Sequence, residues 1–170
     1  MEQRRGFSII EVLVYVAILA TASVLIVSSI VQLTQLYGKG RAERRLVLAA
    51  ENAFERITRE LRLAQSIDTA SPYTLPGSRI KLNTFQSYTD FTPTTRTIDL
   101  DSGYAVLDNN LAKILTPIGV AVTNLTFTQL TGGASDAVRV QMTLTTSGGP
   151  FQPTRTFFTT VVLRGSYLDI

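Results

Sequence analysis

The sequence predicts an α+β protein in which one long N-terminal helix, transmembrane in its first half, packs on an antiparallel β-sheet. Three observations predict it. An apolar run from Phe7 to Val31 holds a single charge, Glu11. Hydrophobic residues between Leu46 and Ala64 recur at three- and four-residue steps. From Asp68 onward the chain is rich in Thr, Val, Leu and Phe, with Gly, Pro, Asn and Asp as punctuation. With 170 residues the chain has room for one domain with a real core, plus whatever the N-terminus adds.

Residues 1–6, Met-Glu-Gln-Arg-Arg-Gly, form a short polar leader in which Arg4 and Arg5 are adjacent cations. Residues 7–31 follow, about 25 residues at roughly 1.5 Å each, enough to cross a hydrocarbon core about 30 Å thick. A secretory signal peptide would use Arg4 and Arg5 as its basic region and be cut near Ala20-Thr21-Ala22. That cut leaves an apolar stretch starting at Ser23 exposed at a soluble N-terminus, so an uncleaved membrane helix fits better. A plain membrane anchor must still account for Glu11. A carboxylate at the bilayer centre costs about 2.5–3.5 kcal/mol on insertion scales, less near an interface, and implies a partner. Ser8 and Glu11 have capping-box spacing, so the carboxylate can also reach back to the Ser8 amide at the helix start. That would satisfy a donor and leave the charge unneutralised.

Residues 32–67 read as an amphipathic continuation of the helix. Gly38 and Gly40 weaken it locally. Then Leu46, Ala50, Ala53 or Phe54, Ile57, Leu61 and Ala64 form one buried stripe. Glu55 with Arg59, and Arg56 with Glu60, stand at i,i+4 on the other side. Asp68, Ser71 and Pro72 predict a stop near Ile67. A helix from residue 7 to 67 is about 90 Å long, more than a domain of this size covers, so lipid and other subunits must cover the excess. Lys39, Arg41, Arg44 and Arg45 follow the apolar run, so cation counts on its two flanks do not favour a cytoplasmic N-terminus.

Residues 68–170 read as a β-rich domain with strands at Arg79–Asn83, Arg96–Leu100, Tyr104–Leu107, Leu111–Leu115, Val122–Leu130, Ala137–Thr145 and Arg155–Arg164. Val138, Val140, Met142 and Leu144 alternate with Arg139, Gln141 and Thr143, which gives one buried face and one wet face. Leu125, Phe127 and Gln129 or Leu130 behave similarly. Thr131 to Asp136 is read as a hairpin loop, and Ser147 to Pro150 opens the next connection.

The absence of Cys excludes disulfides and thiolate metal sites, and the absence of His removes the commonest general base and transition-metal ligand. There is no phosphate-binding Gly loop and no nucleophile elbow. Neither an enzymatic activity nor a cofactor is expected. Asp99, Asp101 and Asp108 have the oxygen spacing of part of a calcium loop, but Asp-Ser-Gly and Asp-Asn-Asn also make ordinary hairpin turns. Asn124-Leu125-Thr126 matches a glycosylation acceptor within an alternating strand. The net charge of +3, with its cations spread along the chain, gives nucleic-acid binding little support.

The run Arg4-Arg5-Gly6-Phe7-Ser8-Ile9-Ile10-Glu11-Val12-Leu13-Val14 closely resembles the cleavage and methylation motif of type IV prepilins and type II secretion pseudopilins. The resemblance implies a pilin fold and a non-enzymatic filament subunit. It also implies cleavage by a prepilin peptidase between Gly6 and Phe7, N-methylation of Phe7, and a role for Glu11 in assembly. Its partners would be other subunits, met through the N-terminal helix, and the lipid of the inner membrane, with the leader cytoplasmic and the β-domain extracytoplasmic. Over most of the chain the strand pattern is similar to J-class minor pseudopilins and PilW-like minor pilins, and the missing Cys pair departs from many major pilins. A single-pass anchored protein that binds a ligand or DNA, as a competence-type pseudopilin would, is the rival class.

Overall fold

A computed structural model describes residues 8–70, 75–85, 92–108, 110–132 and 135–163. They form α1 (Ile9–Leu63), β1 (Ala64–Asp68), β2 (Ile80–Phe85), β3 (Pro93–Asp101), β4 (Tyr104–Leu107), β5 (Asn110–Ile114), β6 (Val120–Gly132), β7 (Ser135–Thr146) and β8 (Thr154–Val162). The chain divides into two compact units, Met1–Gly40 and Arg41–Ile170.

In the first unit the described residues are helical from Ile9 onward. Ser8 starts the helix, since its carbonyl accepts the amides of Glu11 (3.0 Å) and Val12 (3.2 Å). Glu11 lies in the first turn, where a carboxylate complements the positive end of the helix dipole. Val, Ile and Leu dominate from there, and their side chains are exposed as far as Tyr37. The helix passes through Gly38 and Gly40 without interruption.

In the second unit the helical stripe is Leu46, Ala49, Ala50, Ala53, Ile57 and Leu61, all buried, while Phe54 is half-buried at its margin. The three alanines leave little bulk on this face, and Leu46, Ile57 and Leu61 join inward residues of both sheets in one core. The helix ends at Leu63, four residues short of the expected stop at Ile67. Residues 64–67 are strand instead, because β2 offers them a ladder: Ala64 pairs with Thr84, Ser66 with Asn83 and Ile67 with Leu82. Asp68 closes β1 with a turn of its own, its Oδ1 accepting the Ala70 amide at 2.9 Å. Ser71 and Pro72, also expected at this stop, lie outside the described residues.

The strands form two antiparallel meanders, β1-β2-β3-β4-β5 and β6-β7-β8. The seven expected strands are all present, with ends shifted by up to three residues, and β1 is additional. Arg164, expected to end the last strand, lies outside the described residues. The β3–β4 hairpin turns through Ser102 and Gly103 at φ 50° and 79°, the twist of a type I′ turn, so Gly103 supplies a conformation that a Cβ would strain. The expected loop at Thr131 to Asp136 is shorter than predicted. Thr131 still pairs with Asp136 and Gly132 with Ser135, leaving residues 133 and 134, outside the described set, as the connection.

Val138, Val140, Met142 and Leu144 are fully buried, as their alternation requires. On β6 the inward residues are Val120 and Val122, then Leu125 and Phe127. That change of phase would turn half the strand inside out, but a bulge between Val122 and Asn124 absorbs one residue and keeps all four inward. Leu130, by contrast, is exposed. β6 is tied to the connection before β2 by a reciprocal pair of bonds between Gly77 and Phe127 (3.1 and 2.7 Å), and to the β3–β4 turn by the Val122 amide on the Gly103 carbonyl (2.7 Å). Phe127, the largest fully buried side chain among the described residues, sits in the common core.

These packing positions set the expected ranking of truncations. In urea denaturation of the detergent-solubilised protein, Phe127→Ala should lower stability by about 3–5 kcal/mol and Ile57→Ala by about 2–5 kcal/mol. Phe158→Ala, at a side chain 75 % exposed, should stay within about 0.5 kcal/mol of the parent.

Candidate functional site

Among residues 9–38 Glu11 is the only charged side chain. Its environment is defined by what the surrounding helix does with polar groups. The five hydroxyls between residues 20 and 35 are all turned onto the helix itself. Thr21 donates to the carbonyls of Ala17 (3.0 Å) and Ile18 (2.8 Å), and Ser23 to Leu19 (2.8 Å). Ser28 and Ser29 both donate to Leu25 (2.9 and 2.8 Å), and Thr34 to Ile30 (2.9 Å). Such bonds satisfy each hydroxyl without water, as a hydrocarbon environment demands. This helix is long and apolar enough to cross a membrane.

Glu11 cannot bond carbonyls, because an ionised carboxylate only accepts. Where the sequence allowed it to reach back to the Ser8 amide, its Oε1 instead accepts from Tyr15 Oη at 3.3 Å, one turn further along. Sequence reasoning missed Tyr15, although its i,i+4 spacing from Glu11 was the available signal. Arg4, Arg5, Gly6 and Phe7, the leader and cleavage residues, lie outside the described residues.

Residues 1–27 match a family model described as the prokaryotic N-terminal methylation motif. The N-terminus carries a prepilin-type motif. The match joins the polar leader, the Gly6-Phe7 junction, Glu11 and most of the apolar helix in one unit, and it stops before the amphipathic and β-rich parts of the chain. No curated protein and no solved structure matches the chain. The motif supports a type IV pilin-like or pseudopilin subunit, and the long apolar helix fits a membrane anchor. The same motif implies processing by a prepilin peptidase and other subunits as partners.

The remaining candidates lie in the second unit. Asp99 is 4 % exposed and is held by Arg79, whose Nη2 and Nε stand 2.6 and 2.8 Å from Oδ2. Asp108 accepts from Arg96 Nη1 (2.6 Å) and Lys113 Nζ (3.0 Å) through one oxygen and from the Thr97 amide (3.2 Å) through the other. Asp101 accepts from Ser102 at the hairpin turn (3.0 Å). Two of the three carboxylates are therefore occupied by cations and serve to staple strands. Among the described residues no cluster of three or more acidic side chains forms a metal site. Asn124 lies exposed beside the β6 bulge, its side chain accepting from Thr126 at 3.4 Å.

The expected Glu55–Arg59 pair forms at 3.2 Å with both side chains well exposed, so it contributes about 0.3 kcal/mol. Arg56, expected to pair with Glu60, instead crosses to β5 and donates to the Ile114 carbonyl at 2.9 Å. A backbone acceptor brought near by the fold takes the guanidinium in place of the half-buried Glu60 carboxylate on the same helix. Glu60 is partly desolvated, which raises its pKa, although Arg96 opposes the shift. Asp108 goes the other way: burial works to raise its pKa, but the bonds from Lys113, Arg96 and the Thr97 amide outweigh burial and lower it. The Lys81 ammonium similarly lowers Asp68.

Calcium should leave the thermal midpoint of the purified protein unchanged, since binding would have to break the Arg79 and Arg96 pairs. Asp108, with its folded pKa depressed, adds stability that is present above the unfolded carboxylate pKa and lost as pH falls through the folded value. Asp108→Asn should therefore lower the midpoint at neutral pH and flatten its decline into acid. Glu60, with its folded pKa raised, adds stability below the unfolded value that fades as pH rises through the folded one. Glu60→Gln should accordingly raise the midpoint at neutral pH relative to the parent, and lose that advantage in acid. Midpoints followed by circular dichroism from neutral to acid pH check all three.

Proposed function

We propose that the chain is a minor pilin or minor pseudopilin, of the J-class or PilW-like kind, that carries no catalytic activity and acts as a structural subunit of a filament. Its maturation is a cut between Gly6 and Phe7, followed by N-methylation of Phe7. Gly6 gives the peptidase a residue without a side chain at the scissile bond, where a bulky one would hinder backbone approach. The cut leaves an amine at the start of the same helix that holds Glu11. This amine has a reference pKa near 8, and methylation keeps it protonatable. A cation then stands near the membrane depth of a neighbouring subunit's Glu11, and pairing the two sets the axial register between helices.

The observation that carries this reading is Glu11 itself, within the matched motif and the one charge in the apolar stretch 9–38 of the helix. In this reading the leader is cytoplasmic, the span is in the inner membrane and residues 68–170 are extracytoplasmic. The strand-rich body, the absence of Cys and the meander of three long C-terminal strands support the minor class.

Intact-mass measurement of the membrane-extracted protein should give a chain lacking residues 1–6 and carrying one added methyl group. Gly6→Leu should retain the leader. A parent chain that retains its leader would defeat the reading in favour of a plain anchored binding protein. Glu11→Gln should still be cut and should enter filaments about tenfold less well or worse, the scale expected when an intramembrane charge pair is lost.

A further inference from the structure

We propose that Tyr15 is a positioning residue for Glu11: its hydroxyl holds one carboxylate oxygen and so presents the other to the cation of a neighbouring subunit. This inference rests on the assembly role of Glu11 proposed above. Between Ile9 and Ala20 every side chain is a hydrocarbon except those of Glu11 and Tyr15. Both are exposed on the helix surface, and Tyr15 Oη stands 3.3 Å from Glu11 Oε1. Helix geometry favours this pairing over any other for the phenol. Side chains in a helix lean toward its N-terminus, so the Tyr15 ring lies over the turn that begins at Glu11.

The phenol differs from the five aliphatic hydroxyls further along the helix. Thr21, Ser23, Ser28, Ser29 and Thr34 each reach a carbonyl of the preceding turn through a short side chain. A tyrosine carries its hydroxyl at the end of a rigid ring, too far from its own backbone to do so. In lipid it needs another acceptor, and among the described residues within four positions of Tyr15 only Glu11 carries one. From the other side, a Glu side chain has three rotatable bonds, and an unheld carboxylate would sample many directions. A bond to Oε1 restricts it, while Oε2 keeps its full accepting capacity for an incoming N–H. The carboxylate is thus pre-organised before a partner arrives, which lowers the ordering cost of the pairing.

An aromatic anchor at the membrane interface would use the same residue for a different reason, its amphipathic ring rather than its bond to Glu11. The two roles separate in a double-mutant cycle on the full chain expressed in its own filament-forming cell. Parent, Tyr15→Phe, Glu11→Gln and the double variant are compared by the fraction of chain in sheared filaments, normalised to the membrane pool. Intact mass establishes leader removal and methylation in each. Tyr15→Phe keeps the ring and should be processed normally, yet enter filaments about threefold to tenfold less well, the scale of one interhelical polar contact. In the Glu11→Gln background the same change should have no further effect. Tyr15→Phe at the parental level beside a defective Glu11→Gln overturns this inference alone. An undiminished loss from Tyr15→Phe in the Glu11→Gln background also overturns it, because the ring would then act independently. Glu11→Gln at the parental level removes the assembly role of Glu11, and this inference with it.

Discussion

An apolar helix leaves its polar groups no water to turn to, and the organisation of the first unit follows from that constraint. The backbone meets it by being helical throughout, which satisfies every amide and carbonyl away from the ends. The hydroxyls of Thr21, Ser23, Ser28, Ser29 and Thr34 meet it by bonding carbonyls of the preceding turn. Glu11 is the one group that no intrahelical donor can neutralise, and Tyr15 only holds it. In the proposed maturation, removal of residues 1–6 would supply the missing element, an amine at the start of the same helix.

The second unit solves a different problem, since without Cys it must be held by packing and polar contacts alone. Packing comes from the Leu46 to Leu61 stripe set against both sheets. Register in the five-stranded sheet is reinforced at each joint by charge. Lys81 holds Asp68 across β1 and β2 (2.9 Å), and Arg79 holds Asp99 beside β2 and β3 (2.6 Å). Arg96 and Lys113, from β3 and β5, converge on Asp108 at the end of β4. Asp99 and Asp108, two of the three carboxylates whose spacing suggested a calcium loop, therefore act as cross-strand staples. In the three-stranded sheet hydroxyls do comparable work, with Thr143 and Thr156 at 2.9 Å and Thr154 and Thr145 at 3.2 Å. Arg155 of β8 also reaches Glu43 of the helix at 3.0 Å, an ion pair separated by more than a hundred residues in sequence.

Several elements were legible because their signals are local. The hydrophobic period marked the buried face of the helix, alternation marked β7, and Asp-Ser-Gly marked the β3–β4 turn. The choice between Ala53 and Phe54 was ambiguous in sequence, because a stripe advancing by three or four residues allows either. Packing against two sheets selected the smaller side chain for the fully buried position. Strand β1 went unseen for a related reason. Ala64 and Ile67 continue a helical stripe by spacing, and only the presence of β2 beside them gives their backbone a better set of partners.

What the sequence determined by itself is what depends on near neighbours: the prepilin motif, the continuous apolar span, the isolated Glu11 and the alternation of buried and wet residues along the strands. Each is a matter of composition and period over a few turns, so no long-range contact was needed to see it. The tertiary structure alone decided where the helix gives way to β1, where eight strands part into two sheets, and which cation each aspartate holds. Those outcomes are competitions between partners far apart in the chain, and a residue meets its winning partner only after folding has brought them together.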